Sequence, residues 1–403
     1  MNIVFISGFL SEQSVGGPAL RSKNSLEILK KLGDVSAFDL DSISTFIWTG
    51  GSQRAEESAR ENQPKVQSRI GAALERIISR ALQVLEIFTQ LVSLSAYFQI
   101  KRLILDSSPD VVWFSFASKF PKLFLALRRK FPSIFFVADT DAVISSHLQR
   151  ASESLVGIRS AVYLHLARQT RKYESKILLE ASVTTAVSEF DRQEYMALCP
   201  SAELFVFPNV VEAHGIDGPE SKKSDSPRLL LTGTFGGPES AMTHGTLWFL
   251  KEVFPKVLGS VPDLSVDIVG RNANQIQQYV DLPRAVRVIA DVPSVTPYLS
   301  EAWCNVCPLF FESGTRFKIL EASERAVPTV STALGAEGLD FVHGQDILIA
   351  EDSIDFAENI VKLLKHQDLR ELIGQRSRGT LVQRYSIGAG YSAAKTVLEQ
   401  LSS

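Results

Sequence analysis

Long apolar runs, cysteines and an excess of either charge are all scarce in this chain, and each scarcity excludes something. The uncharged stretch 87–100 is shorter than the ~20 residues that span a bilayer. Three cysteines in 403 residues include a C-x-x-C at Cys304 and Cys307. No second cysteine pair or nearby histidine pair completes a zinc site, and both lie in an apolar stretch, so they read as buried thiols in a reducing cytoplasm. With 42 basic and 45 acidic residues the net charge is −3, which gives no electrostatic case for nucleic acid. The opening Met1-Asn2-Ile3-Val4-Phe5-Ile6-Ser7 reads as a buried strand and not as a signal peptide, since no basic segment precedes it.

What is present is an ordinary globular composition, 45% hydrophobic and 22% charged, in a chain long enough for two domains. Apolar strands are expected at 2–7, 35–40, 110–114, 134–138, 182–187 and 204–207, alternating with helical stretches such as 16–32. The rhythm breaks over the polar stretch 42–64 and resumes from Arg228. There, strands are expected at 229–232, 265–269, 286–289, 305–309, 329–331 and 347–349, with helices near 243–259, 274–280, 295–302, 315–325, 353–365 and 369–385. That alternation is the mark of α/β doubly wound sheets. The Gly-, Pro-, Ser- and charge-rich segment 214–227 reads as a linker. The expected architecture is two Rossmann-like domains, 1–213 and 214–387, facing a central cleft with ligands at the carboxyl ends of both sheets.

The stretch Phe311-Glu312-Ser313-Gly314-Thr315-Arg316-Phe317-Lys318-Ile319-Leu320-Glu321-Ala322 carries the most chemistry. A strand leads into Gly314 and Thr315, and a helix follows. Free N–H groups and the positive end of the helix dipole suit phosphate at such a turn. Arg316 and Lys318 add formal charge, and Glu321 can accept from a vicinal diol such as ribose. Phosphate with ribose indicates a nucleotide. The bland alternative is an exposed i,i+3 ion pair between Lys318 and Glu321, worth a few tenths of a kcal/mol.

This block resembles the donor half of GT-B glycosyltransferases, in particular retaining enzymes of glycosyltransferase family 4 of the bacterial polysaccharide and glycolipid type. Gly233-Thr234-Phe235, Trp248-Phe249-Leu250, Asp267-Ile268-Val269-Gly270-Arg271, Val292-Pro293 and Gly335-Ala336-Glu337-Gly338-Leu339 follow in the family's order. The resemblance implies that Gly233, Thr234, Gly270 and Arg271 line the diphosphate, that Val292 approaches the base, and that Glu321 holds the donor ribose. Ser313 stands where many members carry a glutamate facing the sugar, and Glu312 is one residue out of phase. Thr234 stands where many carry arginine, a charge that Arg316 and Lys318 replace in the Gly-Thr-Arg-x-Lys variant. The resemblance also implies that the last helix, 388–403, returns to the first domain after the breaker Gly388-Ala389-Gly390.

In the first domain, Gly16-Gly17 opens a helix and resembles the family's glycine-rich loop near acceptor and diphosphate; a tight turn is the alternative. Arg21, one turn on, either reaches an anion or lies on a solvated helix face. Asp139-Thr140-Asp141 follows a strand at the ligand-binding edge, where a carboxylate faces the acceptor hydroxyl or caps the next helix. His147 is close enough in sequence to share that site. Ser188-Glu189 reads as a helix N-cap, and His244 as a surface histidine or a phosphate contact.

The resemblance therefore implies a metal-independent, retaining hexosyltransferase with no cofactor. It takes a nucleotide-diphosphate sugar as co-substrate and acts on a glycan or lipid-linked acceptor, in the synthesis of cell-surface polysaccharide or glycolipid. The rivals are an epimerase or hydrolase on the same fold, and a non-catalytic nucleotide- or glycan-binding relative. The apolar, lightly charged segment 68–105 is either buried in the first domain or laid on the inner face of the membrane as a peripheral contact.

Overall fold

The computed structural model describes residues 1–10, 16–40, 94–153, 156–213, 223–237, 240–311 and 316–402. The chain divides into two compact units, one of Met1–Thr185, Glu194–Phe205 and Val397–Ser403, the other of Ala186–Gln193 and Val206–Thr396. Each is built on a parallel sheet that is six-stranded among the described residues.

The first sheet comprises β1 (Asn2–Ser7), β2 (Asp34–Asp39), β3 (Val111–Ser115), β4 (Phe135–Asp139), β5 (Val183–Ala186) and β6 (Leu204–Val206), in the order β2-β1-β3-β4-β5-β6. Its central strands are buried on both faces: Ile3, Val4, Phe5 and Ile6 of β1 and all five residues of β3 are enclosed. Such near-continuous apolar runs are what a parallel sheet covered by helices requires. Helix α1 (Gly17–Lys30) leaves the carboxyl edge of β1 behind Gly16, whose φ of 91° favours glycine, and Pro18 presets its first turn. The described part of 68–105 includes α2 (Leu94–Ser107), where Ala96, Ile100 and Ile104, at helical spacing, enter the core while Phe98 and Leu105 stay exposed. Residues 68–93, and the polar stretch 42–64, lie outside the described residues. Among the described residues no helix is long and apolar enough to cross a membrane.

The second sheet comprises β7 (Arg228–Thr234), β8 (Ser265–Arg271), β9 (Val286–Ala290), β10 (Cys304–Cys307), β11 (Thr329–Thr332) and β12 (Leu348–Ala350), in the order β12-β11-β10-β7-β8-β9. The direction of winding reverses between β7 and β10 here, and between β1 and β3 in the first sheet. At such switch points adjacent loops diverge and leave a crevice for ligands.

Two expectations are corrected by local chemistry. The helix expected over 243–259 is interrupted: Ala241–Trp248 is α-helical, Phe249–Val253 widens into a π-turn, and Phe254–Ser260 continues. Pro255 has no N–H to return to the preceding turn, so the ladder loosens there. Gly388-Ala389-Gly390 does not break the chain. The last helix, Ile387–Ser402, includes all three, and the stop lies at Ser386, whose Oγ accepts the Ala389 N–H at 3.2 Å.

Candidate functional site

At the carboxyl edge of the second sheet, Gly233 and Gly270 stand opposite each other on β7 and β8. The backbones are so close that a Cβ on Gly270 would lie 1.9 Å from the Gly233 carbonyl oxygen, and one on Gly233 2.4 Å from Met242 Cγ. Gly270 has φ 145°, so any side chain there meets both strain and a clash. Thr234 and Arg271, the last residues of their strands, are exposed just beyond. Asp291, in a left-handed backbone after β9, accepts the Asn272 N–H at 2.9 Å, which ties the loops after β8 and β9 together beside half-buried Val292.

Helix α3 (Phe317–Glu324) starts at the same edge, after β10. Buried Arg316 is its N-cap residue in extended conformation. The Lys318 ammonium does not pair with Glu321; it donates to the Met242 thioether at 3.1 Å, a weak acceptor. Glu321 is half-buried rather than exposed, and no hydrogen bond or ion pair among the described residues engages it. Burial pushes its carboxyl up to about 7, against the pull of Lys318. The exposed-ion-pair reading of these two residues therefore fails. Ser313, Gly314 and Thr315 lie outside the described residues. His244 is exposed, edge-on to Phe310 and Phe311 with centroids 5.7 and 5.3 Å away.

At the carboxyl edge of the first sheet, Arg21 lies neither on a solvated face nor against a free anion. It is 2% exposed, and its guanidinium bonds Asp139 Oδ1 at 2.5 Å and the Thr140 carbonyl at 3.2 Å. Thr185 donates to the same carboxylate oxygen at 2.7 Å and Ser115 to the other at 2.8 Å. Asp139 thus joins β3, β4 and β5 to α1 and does not face an acceptor hydroxyl. Nor do these aspartates cap the next helix, α4 (Ile144–Glu153). Its first N–H groups, from Ile144 and Ser145, go to Glu174 Oε1 at 2.8 and 3.3 Å. Burial pushes the Glu174 carboxyl up to about 7. Half-buried His147 sits one turn into α4.

Asp141 differs from Asp139. Lys119 donates to its Oδ2 at 2.8 Å, while Oδ1 is buried without a hydrogen-bond partner among the described residues. Lys119 carries no motif, and only the fold brings it to Asp141. Gly16 and Gly17 stand at the α1 entrance on this edge. Ser188 caps the helix Glu189–Leu198 by accepting the Asp191 N–H at 3.0 Å, and Glu189 pairs with Arg192 on the surface. Cys304 and Cys307 are enclosed in β10, and burial pushes the Cys304 thiol up to about 12, which removes thiolate reactivity.

Residues 226–366 match the family model described as Glycosyl transferases group 1. A curated relative, the "Uncharacterized 44.6 kDa protein in cps region" of Klebsiella pneumoniae, is 29% identical over 149 residues, 34% of this chain and 37% of that one. TarM of S. aureus superposes with TM-score 0.60 at 16% identity, over 76% of this chain and 57% of its own. The chain thus matches about a third of that relative and little over half of TarM. HepE of Anabaena, in complex with UDP-glucose, superposes with TM-score 0.57 at 12% identity, over 99% of this chain and 100% of its own. The fold is that of the GT-B glycosyltransferases. In this GT-B chain the group 1 match coincides with the unit that holds Lys318, Glu321 and the paired glycines.

Proposed function

We propose that the chain transfers a sugar, with retention of anomeric configuration, from a nucleoside-diphosphate sugar to a hydroxyl of a glycan or lipid-linked acceptor. The observation that carries the reading is Lys318 on Met242, the side chain that packs against Gly233 opposite Gly270, with Glu321 one turn further along the helix of Lys318. An ammonium rests on a thioether, and a carboxyl one turn away is unengaged, over a backbone approach that only glycine permits. A diphosphate is a far stronger acceptor than sulfur, and a ribose diol supplies two donors for Glu321. UDP in a TarM complex, and UDP-glucose in HepE, support this class of donor.

In this mechanism Glu321 fixes the ribose, while Lys318 and Arg316 face the leaving diphosphate as negative charge develops on it. These cations, with the helix entrance, supply the neutralisation that a divalent ion gives elsewhere, so transfer needs no metal. Asp141, with its unsatisfied oxygen, orients the acceptor hydroxyl. The product as cell-surface polysaccharide or glycolipid rests on the family resemblance and the cps-region relative. The cytoplasmic setting rests on free, buried thiols.

A thermal-shift screen of nucleoside-diphosphate sugars, followed by a radiolabel transfer assay with and without chelator, tests the reading. Donor binding must stabilise the fold by mass action. Failure of every nucleoside diphosphate to bind refutes it. Released free sugar or an epimerised donor, without transfer product, replaces it with hydrolysis or epimerisation.

A further inference from the structure

Two phenylalanines at the switch point of the first sheet occupy a backbone region that side chains of their size avoid. Phe9 follows β1 with φ 68°, and Phe116 follows β3 with φ 56°. Left-handed backbone at a bulky residue persists only where the surrounding structure holds it, and such positions gather at ligand sites. The two rings meet edge to face with centroids 5.3 Å apart. Phe116 is fully buried, whereas Phe9 is half-buried and reaches the edge of the sheet.

The strained pair brackets a cation. Lys119 Nζ lies 4.4 Å from the Phe116 centroid and 5.5 Å from that of Phe9, within the range of a cation–π contact with each. The same ammonium donates to Asp141 Oδ2 at 2.8 Å. The loop that carries Asp141 is pinned on both sides. The Thr140 N–H and hydroxyl both donate to the Thr185 carbonyl, and the Tyr195 hydroxyl donates to the Ala142 carbonyl at 2.9 Å. Asp141 Oδ1, buried and without a hydrogen-bond partner among the described residues, therefore sits at a fixed place, and the Lys119 ammonium that holds the sister oxygen links this carboxylate to the rings. Buried carboxylate oxygens are costly to leave unsatisfied, and this one lacks only a donor.

The chemistry selects a ligand. A hydroxyl satisfies Oδ1, and a flat apolar C–H face packs on the half-buried ring of Phe9. A pyranose ring offers both in one body. Lys119 already balances Asp141, so the subsite presents no net charge to an anionic group. Resting on the proposed transferase function, we infer that Phe9, Phe116, Lys119 and Asp141 form an acceptor subsite for a neutral pyranoside. One sugar hydroxyl donates to Asp141 Oδ1, and the apolar sugar face lies on Phe9. Lys119 is a positioning residue: held by the two rings, it fixes which carboxylate oxygen stays open.

Saturation-transfer NMR on the full chain with saturating UDP tests this, using methyl α-D-glucopyranoside and methyl α-D-galactopyranoside as neutral probes and glucose 6-phosphate as the charged one. Wild type should transfer saturation to the ring C–H protons of at least one neutral probe and bind it more tightly than the phosphate ester. Phe9→Asn should weaken that binding at least tenfold without lowering the melting temperature, because asparagine tolerates the left-handed backbone better than phenylalanine. Asp141→Asn and Lys119→Met should weaken it similarly, and Lys119→Arg should restore it. UDP affinity should stay within twofold throughout. Neutral probes that fail to bind a wild type that binds UDP overturn the subsite, as do probes whose binding ignores Phe9→Asn and Asp141→Asn, or a phosphate ester that binds best. Pyranoside binding that depends on Phe9 and Asp141 in a chain that binds no UDP refutes the donor reading and leaves the subsite standing.

Discussion

Arg21 and Asp139, 118 residues apart, form an ion pair almost wholly withdrawn from water, with the guanidinium nitrogen 2.5 Å from the carboxylate. Ser115 and Thr185 also donate to Asp139, so both its oxygens are engaged and the pair anchors α1 across the centre of the first sheet. Removing one partner of a buried pair strands the other charge, at a cost of about 3–5 kcal/mol. Arg21→Met should therefore lower the urea midpoint steeply, and Arg21→Met combined with Asp139→Asn should recover part of the loss. Asp139→Asn that leaves stability untouched but abolishes transfer would return Asp139 to the catalytic set.

Glu174 caps α4 from the neighbouring helix Ile158–Glu180, and its carboxyl sits at about 7 against the ordinary 4.5. A carboxyl whose folded value is raised binds its proton more tightly in the folded state. Stability should thus fall as pH rises from about 4.5 to about 7, then level off. The full difference is roughly 3 kcal/mol. Glu174→Gln keeps an oxygen for the Ile144 N–H and removes the charge. It should flatten that window and raise stability at pH 8 by about 1–3 kcal/mol, read by chemical denaturation at several pH values.

Lys223 presents the opposite case. Its ammonium nitrogen is buried without a hydrogen-bond partner among the described residues, and burial, with the charge of Arg370, holds it down to about 8 against 10.5. A lysine lowered in this way is penalised while charged. Stability should rise as pH climbs from about 8 to about 10.5, and below 8 the whole penalty is present. Lys223→Met should stabilise the chain at pH 7 by roughly 1–3 kcal/mol, since it keeps the buried stem and drops the charge. A variant less stable than wild type at that pH refutes the assignment.

The strands were legible in the sequence because parallel strands covered on both faces are nearly continuous apolar runs. The bounds of β1 and of the helix Ser353–Lys365 match their expectations residue for residue. That helix also announces its start with Asp352, whose carboxylate accepts the Ile354 and Asp355 N–H groups. What sequence could not carry is contact between distant residues. Nothing local tells that Arg21 turns inward to Asp139, that Glu174 caps a helix thirty residues earlier, or that Lys119 finds Asp141. The left-handed backbones at Phe9 and Phe116 run against residue preference, so no pattern of types reveals them. Glu321 was legible as a candidate ligand, but its burial depends on what packs around the helix and not on the helix itself.

Lys318→Ala should act on turnover more than on donor affinity. Among the described residues its ammonium donates only to a thioether, and it would meet the diphosphate most strongly as the sugar bond breaks. Losing an interaction made mainly in the transition state lowers kcat and kcat/KM together, by about 10²–10³-fold on the scale of other single electrostatic donors. Steady-state kinetics with the best donor from the screen decides it. A rise in KM at constant kcat would place Lys318 in ground-state binding only.

Glu321→Gln joins the donor site to pH. A carboxylate accepts both ribose hydroxyls through charge-assisted bonds, each worth roughly 1.5–3 kcal/mol, and the amide forfeits most of that advantage. At pH 8.5, above the value of about 7 to which burial pushes this carboxyl, wild type should bind UDP about ten- to hundredfold more tightly than the variant. As pH falls through 7 the carboxyl takes up its proton and the difference should shrink, becoming small by pH 5.5. The protonation of UDP itself affects both proteins equally and cancels in the ratio. Folding responds in the opposite sense. The raised value penalises the empty wild type above pH 7, so the variant should be the more stable protein there. Calorimetric titration of both proteins with UDP across this range separates the readings. Equal affinities at every pH would mean that Glu321 touches no ribose, whereas a constant ratio in favour of wild type would mean that it binds without titrating in the window its burial sets.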